Sequence, residues 1–337
     1  MSTAETAADM AGPEGFESAL LAMARRVEPD VVTIANLTRV SAGATLETWA
    51  FDAVRETGAT PLILRRSPGE RAGEAIPLPA EAKVLRAASG QGLAVPKVWH
   101  VLSAEDKLGE GFVMGRISGE TIPRKIVRDL DEASGRRLVR QLGETLAGIH
   151  TLDVDRLPQL PLSDATAQLE AFEADMRRPG LQPRPVFELA LKWLKARVPQ
   201  PVEPRLVHGD FRLGNVIVGE EGLRALLDWE MAHLGDPAED LAWIQLPPWR
   251  FGNLSRPVAG IGDTQDFYAA YMALTGAPVD AERVRFWQVM GSLRWGVATA
   301  GMVSWLRGND PTVERSMIVR RTSESELDLL RMIMERE

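Results

Sequence analysis

The first third of the chain carries short runs of alternating apolar and polar positions, whereas the remainder repeats apolar residues at helical spacing. Between residues 31 and 66, three segments rich in Val, Ile, Thr and Trp are separated by glycines, which predicts strands joined by turns. Helices are predicted on either side, over Phe16–Val27 and Pro79–Ala88, and a further strand pair falls within residues 98–117. From Asp129 onward apolar residues recur at every third or fourth position, which predicts a mainly helical remainder.

This order of elements predicts an α+β fold with two lobes. We place a small β-rich N-terminal lobe, an antiparallel sheet with a helix, at residues 1–114, and a larger, mainly helical C-terminal lobe at residues 115–337. Two such lobes are expected to enclose a cleft, and clefts at lobe junctions are common ligand sites.

Composition narrows the class of protein further. The chain has 337 residues, which is long enough for two separate cores, and its net charge of −8 without any long basic run disfavours nucleic acid as a partner. It has no cysteine, which excludes disulfides, thiolate metal sites and cysteine nucleophiles. No apolar stretch approaches the roughly 18–20 residues that span a bilayer, and the N-terminus shows no apolar leader. We therefore predict a cytoplasmic protein that does not enter the membrane.

A cluster of polar residues follows a short apolar run near the middle of the chain. Asp210 lies in the sequence HGDFRLGN, Asn215 follows five residues later, and Asp228 ends the apolar run ALLD. Phosphoryl-transfer enzymes use this order, because the first Asp can face a substrate hydroxyl while the Asn and the second Asp offer oxygen ligands suited to Mg²⁺. The alternative is structural: Asp210 and Asn215 cap turns of an ordinary loop, and Asp228 caps a strand end.

Three segments together carry a family resemblance: Leu206–Asn215, Leu227–Glu230 and Gly235–Ala242. They resemble the signature of the aminoglycoside phosphotransferase and choline kinase-like family of small-molecule kinases. The resemblance implies a protein-kinase-like fold, ATP (or GTP) and Mg²⁺ as cofactors, and a hydroxyl group of a small molecule as the acceptor. It also implies that Asp210 is the base-like catalytic residue, with His208 in the catalytic set as the residue that holds the loop.

Other residues of the motif keep more than one interpretation. Glu230 is either close to the metal or structural. Asp236 and Asp240 are expected to brace the catalytic loop or to cap the next helix rather than to act in catalysis. Three scattered histidines show no metal-ligand spacing and are expected to be packed or capping residues: His100, His150 and His233.

The resemblance places a phosphate-covering loop between the first two strands. Its residues would contact phosphate through backbone N–H groups and hydroxyls, although an ordinary hairpin turn is the alternative because only one glycine is present. The residues concerned are Ser41, Gly43, Ala44 and Thr45.

The third strand supplies further candidates for nucleotide binding. Its period of two places Ile63 and Arg65 on one face. The resemblance then implies that Ile63 lines the adenine site and that Arg65, where most kinases have Lys, reaches the phosphates with Glu81 as its ion-pair partner. The alternative is a surface Arg–Glu pair. Met114 lies in the run expected to be the hinge, where backbone groups would meet the adenine edge.

The chemical class of the acceptor substrate is the feature that the sequence determines least. The stretch Leu241–Gly262 contains no Asp or Glu and carries two Arg and two Trp, which favours a neutral or anionic hydroxyl compound with apolar surface over a polycation: Arg250, Arg256, Trp243 and Trp249. The carboxylate-rich stretch Asp153–Asp175 keeps an aminoglycoside open. The bend at Gly69-Glu70 resembles the branch of the family linked to acyl-CoA dehydrogenases, which implies a hydroxyacyl-type acceptor.

These observations predict an ATP- and Mg²⁺-dependent O-phosphotransferase acting on a small molecule. A catalytically silent nucleotide-binding protein is the main alternative, because the usual third-strand Lys and the full glycine-rich loop are both replaced. A hydrolase using His208 and Asp210 is disfavoured, since the chain has no nucleophile elbow.

Overall fold

The computed structural model describes residues 13–42, 46–67, 75–178, 182–303 and 317–334, and the chain divides into two compact units. The first unit consists of Met1–Gly119, Asp155–Leu160 and Ile217–Ala232. The second consists of Glu120–Val154, Pro161–Val216 and His233–Glu337. The fold is mixed α+β with a small antiparallel sheet, as predicted. Asp228 therefore belongs to the first unit, whereas Asp210 belongs to the second.

The first unit is built around a five-stranded antiparallel sheet with strand order β1-β2-β3-β5-β4. Its strands are β1 (Thr33–Ala42), β2 (Glu47–Arg55), β3 (Gly58–Ser67), β4 (Val98–Val101) and β5 (Glu110–Gly115). Its described residues include two α-helices, α1 (Pro13–Val27) and α2 (Leu78–Gly90). All of the strands and both helices predicted for this part of the chain are confirmed within a few residues.

Alternation along β3 separates its two faces. Leu62 and Leu64 are buried in a core that includes residues of α1, whereas Ile63 and Arg65 on the opposite face are partly buried. Burying a leucine contributes roughly 1.5–3 kcal/mol, so a shift of one residue in the pairing of β3 would be strongly disfavoured. The core therefore determines which face of the sheet presents Arg65.

The second unit is mainly helical. Its helices are α3 (Pro123–Asp129), α4 (Glu132–His150), α5 (Ala165–Met176), α6 (Pro185–Lys195), α7 (Ala238–Trp243), α8 (Thr264–Thr275), α9 (Ala281–Gly301) and α10 (Thr322–Met334). Several begin at an Asp whose carboxylate accepts a backbone N–H of the first turn: Asp131, Asp164 and Asp280. The apolar series predicted for α4 is fully buried, namely Leu138, Leu142, Leu146 and Ile149.

Short strands carry the polar motif. β6 (Arg205–Val207) pairs antiparallel with β9 (His233–Gly235), and β7 (Val216–Gly219) pairs with β8 (Gly222–Leu226). The HGDFRLGN loop follows β6, and Asp228 follows β8 by two residues. None of the helices in the described ranges combines the length and the apolar character needed to cross a membrane.

Candidate active site

The loop after β6 is anchored by the buried carboxylate of Asp240. Its Oδ2 accepts the backbone N–H of His208 at 2.7 Å, and its Oδ1 accepts that of Gly209 at 3.0 Å. The Nε2 atom of His150 lies 3.3 Å from Oδ2. Burial alone would raise the pKa of Asp240, but these partners outweigh it and lower the pKa. Asp240 therefore braces the loop, one of the two structural roles expected of it.

The other conformational features of the loop are set by His208 and Gly209. The His208 side chain is fully buried, and its Nδ1 accepts the backbone N–H of Asp210 at 3.2 Å. Its ring meets the edge of Phe211 at a centroid distance of 6.1 Å. Gly209 has φ of 79°, a left-handed conformation that disfavours side chains with a Cβ. His208 thus shapes the loop from inside, which fits the holding role that the resemblance implies.

The carboxylate of Asp210 is surrounded by donors. Asn215 Nδ2 donates to Asp210 Oδ2 at 2.7 Å and to its backbone carbonyl at 2.9 Å. Arg212 Nε lies 3.0 Å from both carboxylate oxygens, and Trp243 Nε1 donates to Oδ1 at 2.8 Å. The structure thus brings Asp210 and Asn215 together and adds two residues that sequence reasoning missed. Arg212 could have been suspected from its position two residues after Asp210, whereas nothing in the sequence indicated that Trp243 would contact Asp210.

Aromatic rings and guanidinium groups lie next to this carboxylate. The Arg212 guanidinium lies 5.0 Å from the Trp249 ring, and that of Arg294 lies 4.8 Å from the Trp243 ring. Trp249 in turn packs against Trp243 and Trp295, with centroid distances of 5.6 and 4.9 Å. Such stacking fixes the direction of the guanidinium groups while their edges form hydrogen bonds, that of Arg212 with Asp210 and that of Arg294 with the Gly209 carbonyl. The surroundings of Asp210 are therefore rich in donors and aromatic surface.

Arg65 in the first unit contacts three carboxylates. Its Nη1 lies 3.2 Å from Glu81 Oε1, and its Nη2 lies 2.6 Å from Asp228 Oδ1 and 3.1 Å from Glu230 Oε2. Burial alone would lower the pKa of Arg65, but the carboxylates, with Glu81 first among them, outweigh it and raise the pKa. The predicted pair of Arg65 and Glu81 is thus present. It is not the surface pair of the alternative interpretation, because the two side chains are only 11% and 1% exposed.

Asp228 and Glu230 suit a Mg²⁺ site. Asp228 has φ of 64°, a left-handed conformation that Asp tolerates better than most residues and that is frequent at functional sites. Both carboxylates contact the same nitrogen of Arg65, so they lie side by side, and each is one-third exposed. Mg²⁺ is usually bound by one or two carboxylates together with substrate phosphates. Within the described ranges no set of three or more His, Asp or Glu side chains forms a complete cage, so the fit depends on this pair.

The other predicted nucleotide-binding residues are placed as follows. Ile63 on β3 pairs in register with Met114 on β5, so these two are cross-strand neighbours. The backbone of Ser41 pairs with Thr48 between β1 and β2. The rest of the predicted phosphate-covering loop lies outside the described residues: Gly43, Ala44 and Thr45. The roles of all these residues in nucleotide binding stay predictions.

The residues expected to be structural have structural partners. Asp236 accepts the backbone N–H of Ala238 at the start of α7 and binds Arg283 Nε at 2.6 Å and Trp287 Nε1 at 2.7 Å. The scattered histidines each face a hydrogen-bonding side chain: Asp106 for His100, Tyr271 for His150 and Glu239 for His233.

Solved structures resemble this fold over nearly its whole length. A candidate aminoglycoside phosphotransferase from Ralstonia eutropha JMP134 matches with a TM-score of 0.78 and 20% identity, over 95% of this chain and 99% of that one. An aminoglycoside phosphotransferase crystallised with AMP-PNP and hygromycin B has a TM-score of 0.62 and 17% identity, over 93% and 98%. A choline/ethanolamine kinase family protein from Mesorhizobium loti has a TM-score of 0.59 and 17% identity, over 99% and 100%. These likenesses show the fold.

Relatives among curated proteins are longer than this chain. Acyl-CoA dehydrogenase family member 11 of Pongo abelii is 25% identical over 290 residues, which is 80% of this chain and 37% of that protein. The human protein of the same name has the same identity and coverage. Family member 10 of Mus musculus is 27% identical over 202 residues, 54% of this chain and 18% of that protein. The match thus covers little more than a third of the length of the family member 11 proteins and less than a fifth of that of family member 10.

The family itself is shown by a match to the whole motif-bearing part of the sequence. The model of the phosphotransferase enzyme family matches residues 36–285, which include β1, the HGDFRLGN loop and Asp228. The resemblance predicted from the motif is therefore confirmed, and the chain belongs to the phosphotransferase enzyme family.

Proposed function

We propose that this protein is an ATP-dependent O-phosphotransferase that phosphorylates a hydroxyl group of a small molecule. The observation that carries the proposal is the Asp210 carboxylate, which Asn215, Arg212 and Trp243 hold by hydrogen bonds in a loop braced by Asp240. In the reaction, the acceptor hydroxyl oxygen bonds to the γ-phosphorus while the bond from that phosphorus to the β–γ bridging oxygen breaks. Asp210 orients the hydroxyl and takes its proton, and the products are ADP and a phosphate ester.

Arg65 serves the nucleotide in this proposal. Its guanidinium is always charged, and it would offer Nη2 to phosphate oxygens of the nucleotide while Nη1 stays on Glu81. Asp228 would hold Mg²⁺, which neutralises phosphate charge when bound. Asn215 as a further ligand rests on the order of the motif residues and on the family resemblance, and it stays a prediction. Related structures hold AMP-PNP or GDP, which supports ATP or GTP as the phosphoryl donor.

Replacement of Arg65 tests this role. Arg65→Lys keeps the charge and is expected to raise the KM for ATP only a few-fold, whereas Arg65→Ala removes it from beside three carboxylates. For Arg65→Ala we expect an increase in KM of at least about tenfold, since a lost charge-assisted hydrogen bond amounts to about 1.5–3 kcal/mol. Steady-state kinetics at varied ATP measures both. Arg66→Ala is the matched control, because Arg66 lies on the other face of β3 and pairs with Glu47. Equal KM values for the Ala variant and the wild type would contradict the assignment.

The acceptor is proposed to be a neutral or anionic hydroxy compound with apolar surface. Arg212 and Arg294 lie over tryptophan rings and pair with the carboxylates of Asp210 and Glu239, and the positive charge beside these two carboxylates disfavours a polycation.

The carboxylates that favoured an aminoglycoside are largely engaged elsewhere. Asp164 caps α5, and Glu173 pairs with Lys195 and Arg177. Asp175 pairs with Arg178. These acidic side chains therefore contribute little net negative charge for a polycation. The curated relatives are named as acyl-CoA dehydrogenase family members, which supports the more specific proposal of a hydroxyacyl-type acceptor.

A phosphorylation screen tests both the reaction and the acceptor class. We expect ATP-dependent phosphorylation of hydroxyacyl thioesters or hydroxy acids, and kanamycin-like amines at least about 100-fold below them in kcat/KM, a difference of about 2.7 kcal/mol. Asp210→Asn enzyme is the control for contaminating kinases. Efficient turnover of an aminoglycoside would overturn the acceptor proposal. Nucleotide binding without turnover of any acceptor would instead favour the silent nucleotide-binding alternative.

A further inference from the structure

Three carboxylates and one guanidinium form a cluster in the first unit, and their exposure to solvent increases from one end of the cluster to the other. Glu81, at the inner end, is 1% exposed and binds Nη1 of Arg65, which is itself 11% exposed. Asp228 and Glu230, at the outer end, are each 33% exposed and share Nη2. The guanidinium therefore connects a buried carboxylate to two that solvent can reach.

Only a forked cation can make these contacts together. The two ends of the cluster are bound by different nitrogens of one rigid, planar group, and the shared nitrogen keeps Asp228 and Glu230 next to each other. A Lys ammonium is a single point charge on a flexible chain and cannot bridge the two ends in the same way. Arg65 therefore holds the two outer carboxylates next to each other, in addition to any contact that it makes with phosphate.

Ion pairing by Arg65 and metal ligation both draw on the Asp228 carboxylate. Asp228 Oδ1 lies 2.6 Å from Nη2, so a Mg²⁺ ion held by this carboxylate would lie close to the guanidinium. A dication and a guanidinium on one carboxylate repel each other at short range. Nucleotide phosphates would favour metal binding, because they attract both the metal ion and the guanidinium and offer Nη2 a partner other than Asp228.

We propose that Arg65 closes the metal site formed by Asp228 and Glu230, so that a divalent cation binds these two carboxylates only together with a nucleotide. Glu230 is thereby assigned as the second carboxylate of the metal site, and Arg65 as the residue that controls access to it. This inference rests on the proposed function, in which Asp228 holds the metal and Arg65 serves the nucleotide.

The proposal predicts that removing Arg65 tightens the binding of a divalent metal in the absence of nucleotide. Removing the Arg65 cation leaves Glu81, Asp228 and Glu230 without it, and a dication would then be attracted to the outer pair. Arg65→Met should therefore bind a divalent metal in the absence of nucleotide at least about tenfold more tightly than the wild type. Adding Glu230→Gln or Asp228→Asn to that variant should remove most of the gain.

Titration with Mn²⁺ tests this directly, because free Mn²⁺ is measured by its EPR signal without any enzymatic turnover. Wild type, Arg65→Met, Arg65→Lys and the two double variants are titrated without nucleotide, and wild type again with ADP. Arg66→Met is the matched control, since Arg66 lies one residue along β3 and pairs with Glu47 instead. We expect weak binding by wild type and by Arg66→Met, tight binding by Arg65→Met, an intermediate value for Arg65→Lys, and strong enhancement of wild-type binding by ADP.

Wild type that binds Mn²⁺ without nucleotide as tightly as with ADP would overturn the proposal, and so would an Arg65→Met variant with no gain. If Arg65→Met does not fold, the comparison of wild type with Arg65→Lys tests the proposal instead. Replacing the two-nitrogen guanidinium by a single ammonium should already tighten Mn²⁺ binding. Failure of the proposed function has a different signature, namely no binding of ATP or ADP at any metal concentration. The nucleotide-free titrations judge the role of Arg65 independently of that outcome.

Discussion

Asp210→Asn is expected to lower kcat at least about 100-fold while leaving nucleotide affinity nearly unchanged. The amide cannot take the proton of the acceptor hydroxyl. It also places an NH₂ group among donors that now bind carboxylate oxygens, namely Asn215 Nδ2, Arg212 Nε and Trp243 Nε1. Steady-state kinetics with the best acceptor from the screen, together with calorimetric titration of ADP, measures the two effects separately.

Asp164→Asn is the matched control for this substitution. Asp164 belongs to the same unit and caps α5 through Ala167 N–H at 2.8 Å, a role that Asn fills equally well. Its kcat should stay within about twofold of wild type, since surface substitutions usually change stability by less than about 0.5 kcal/mol. An Asp210→Asn enzyme with near-wild-type turnover would remove Asp210 from the catalytic step.

Asp240→Ala is expected to lower the free energy of unfolding by about 3–5 kcal/mol, the usual cost of removing one partner from a buried charged network. The carboxylate is fully buried and accepts the N–H groups of His208 and Gly209, which would lose their partners, and it also faces His150. Because the loop that carries Asp210 loses its anchor, turnover should fall as well. Denaturant unfolding and kinetics on the folded fraction measure the two effects.

Asp280→Ala provides a control with the same number of backbone contacts. Asp280 accepts two N–H groups at the start of α9, those of Glu282 and Arg283, but these hydrogen bonds are exposed to solvent. Its loss should cost about 1 kcal/mol and leave turnover unchanged. Equal destabilisation by the two substitutions would mean that burial of Asp240 does not strengthen its hold on the loop.

The face of β3 that presents Arg65 shows what a local pattern can determine. The alternation along β3 follows from backbone geometry, so the apolar Leu62 and Leu64 decide the face of Arg65 without knowledge of distant residues. Glu81 as its partner was predicted from the family resemblance and from its position on the next helix. In the same way, the spacing of Asp210 and Asn215 within one loop was sufficient to predict that they lie close together.

The other partners of Arg65 and Asp210 depend on long-range packing. Asp228 lies 163 positions from Arg65 along the chain, and only the placement of residues 217–232 with the first unit brings them together. Trp243 lies 33 positions from the carboxylate it holds. The role of Glu230, ambiguous in the sequence, becomes specific only through the nitrogen that it shares with Asp228.

The sequence by itself therefore determined the fold class, the family, the polar motif and the face of each strand, because these follow from local periodicity and from residues close along the chain. Tertiary structure alone decided which carboxylates meet Arg65, that Asp240 anchors the loop, and that tryptophans and guanidinium groups surround Asp210. The physical reason is that buried charges and hydrogen-bond donors take their partners from whichever elements pack beside them. That packing is a property of the assembled core, which no single segment of sequence specifies.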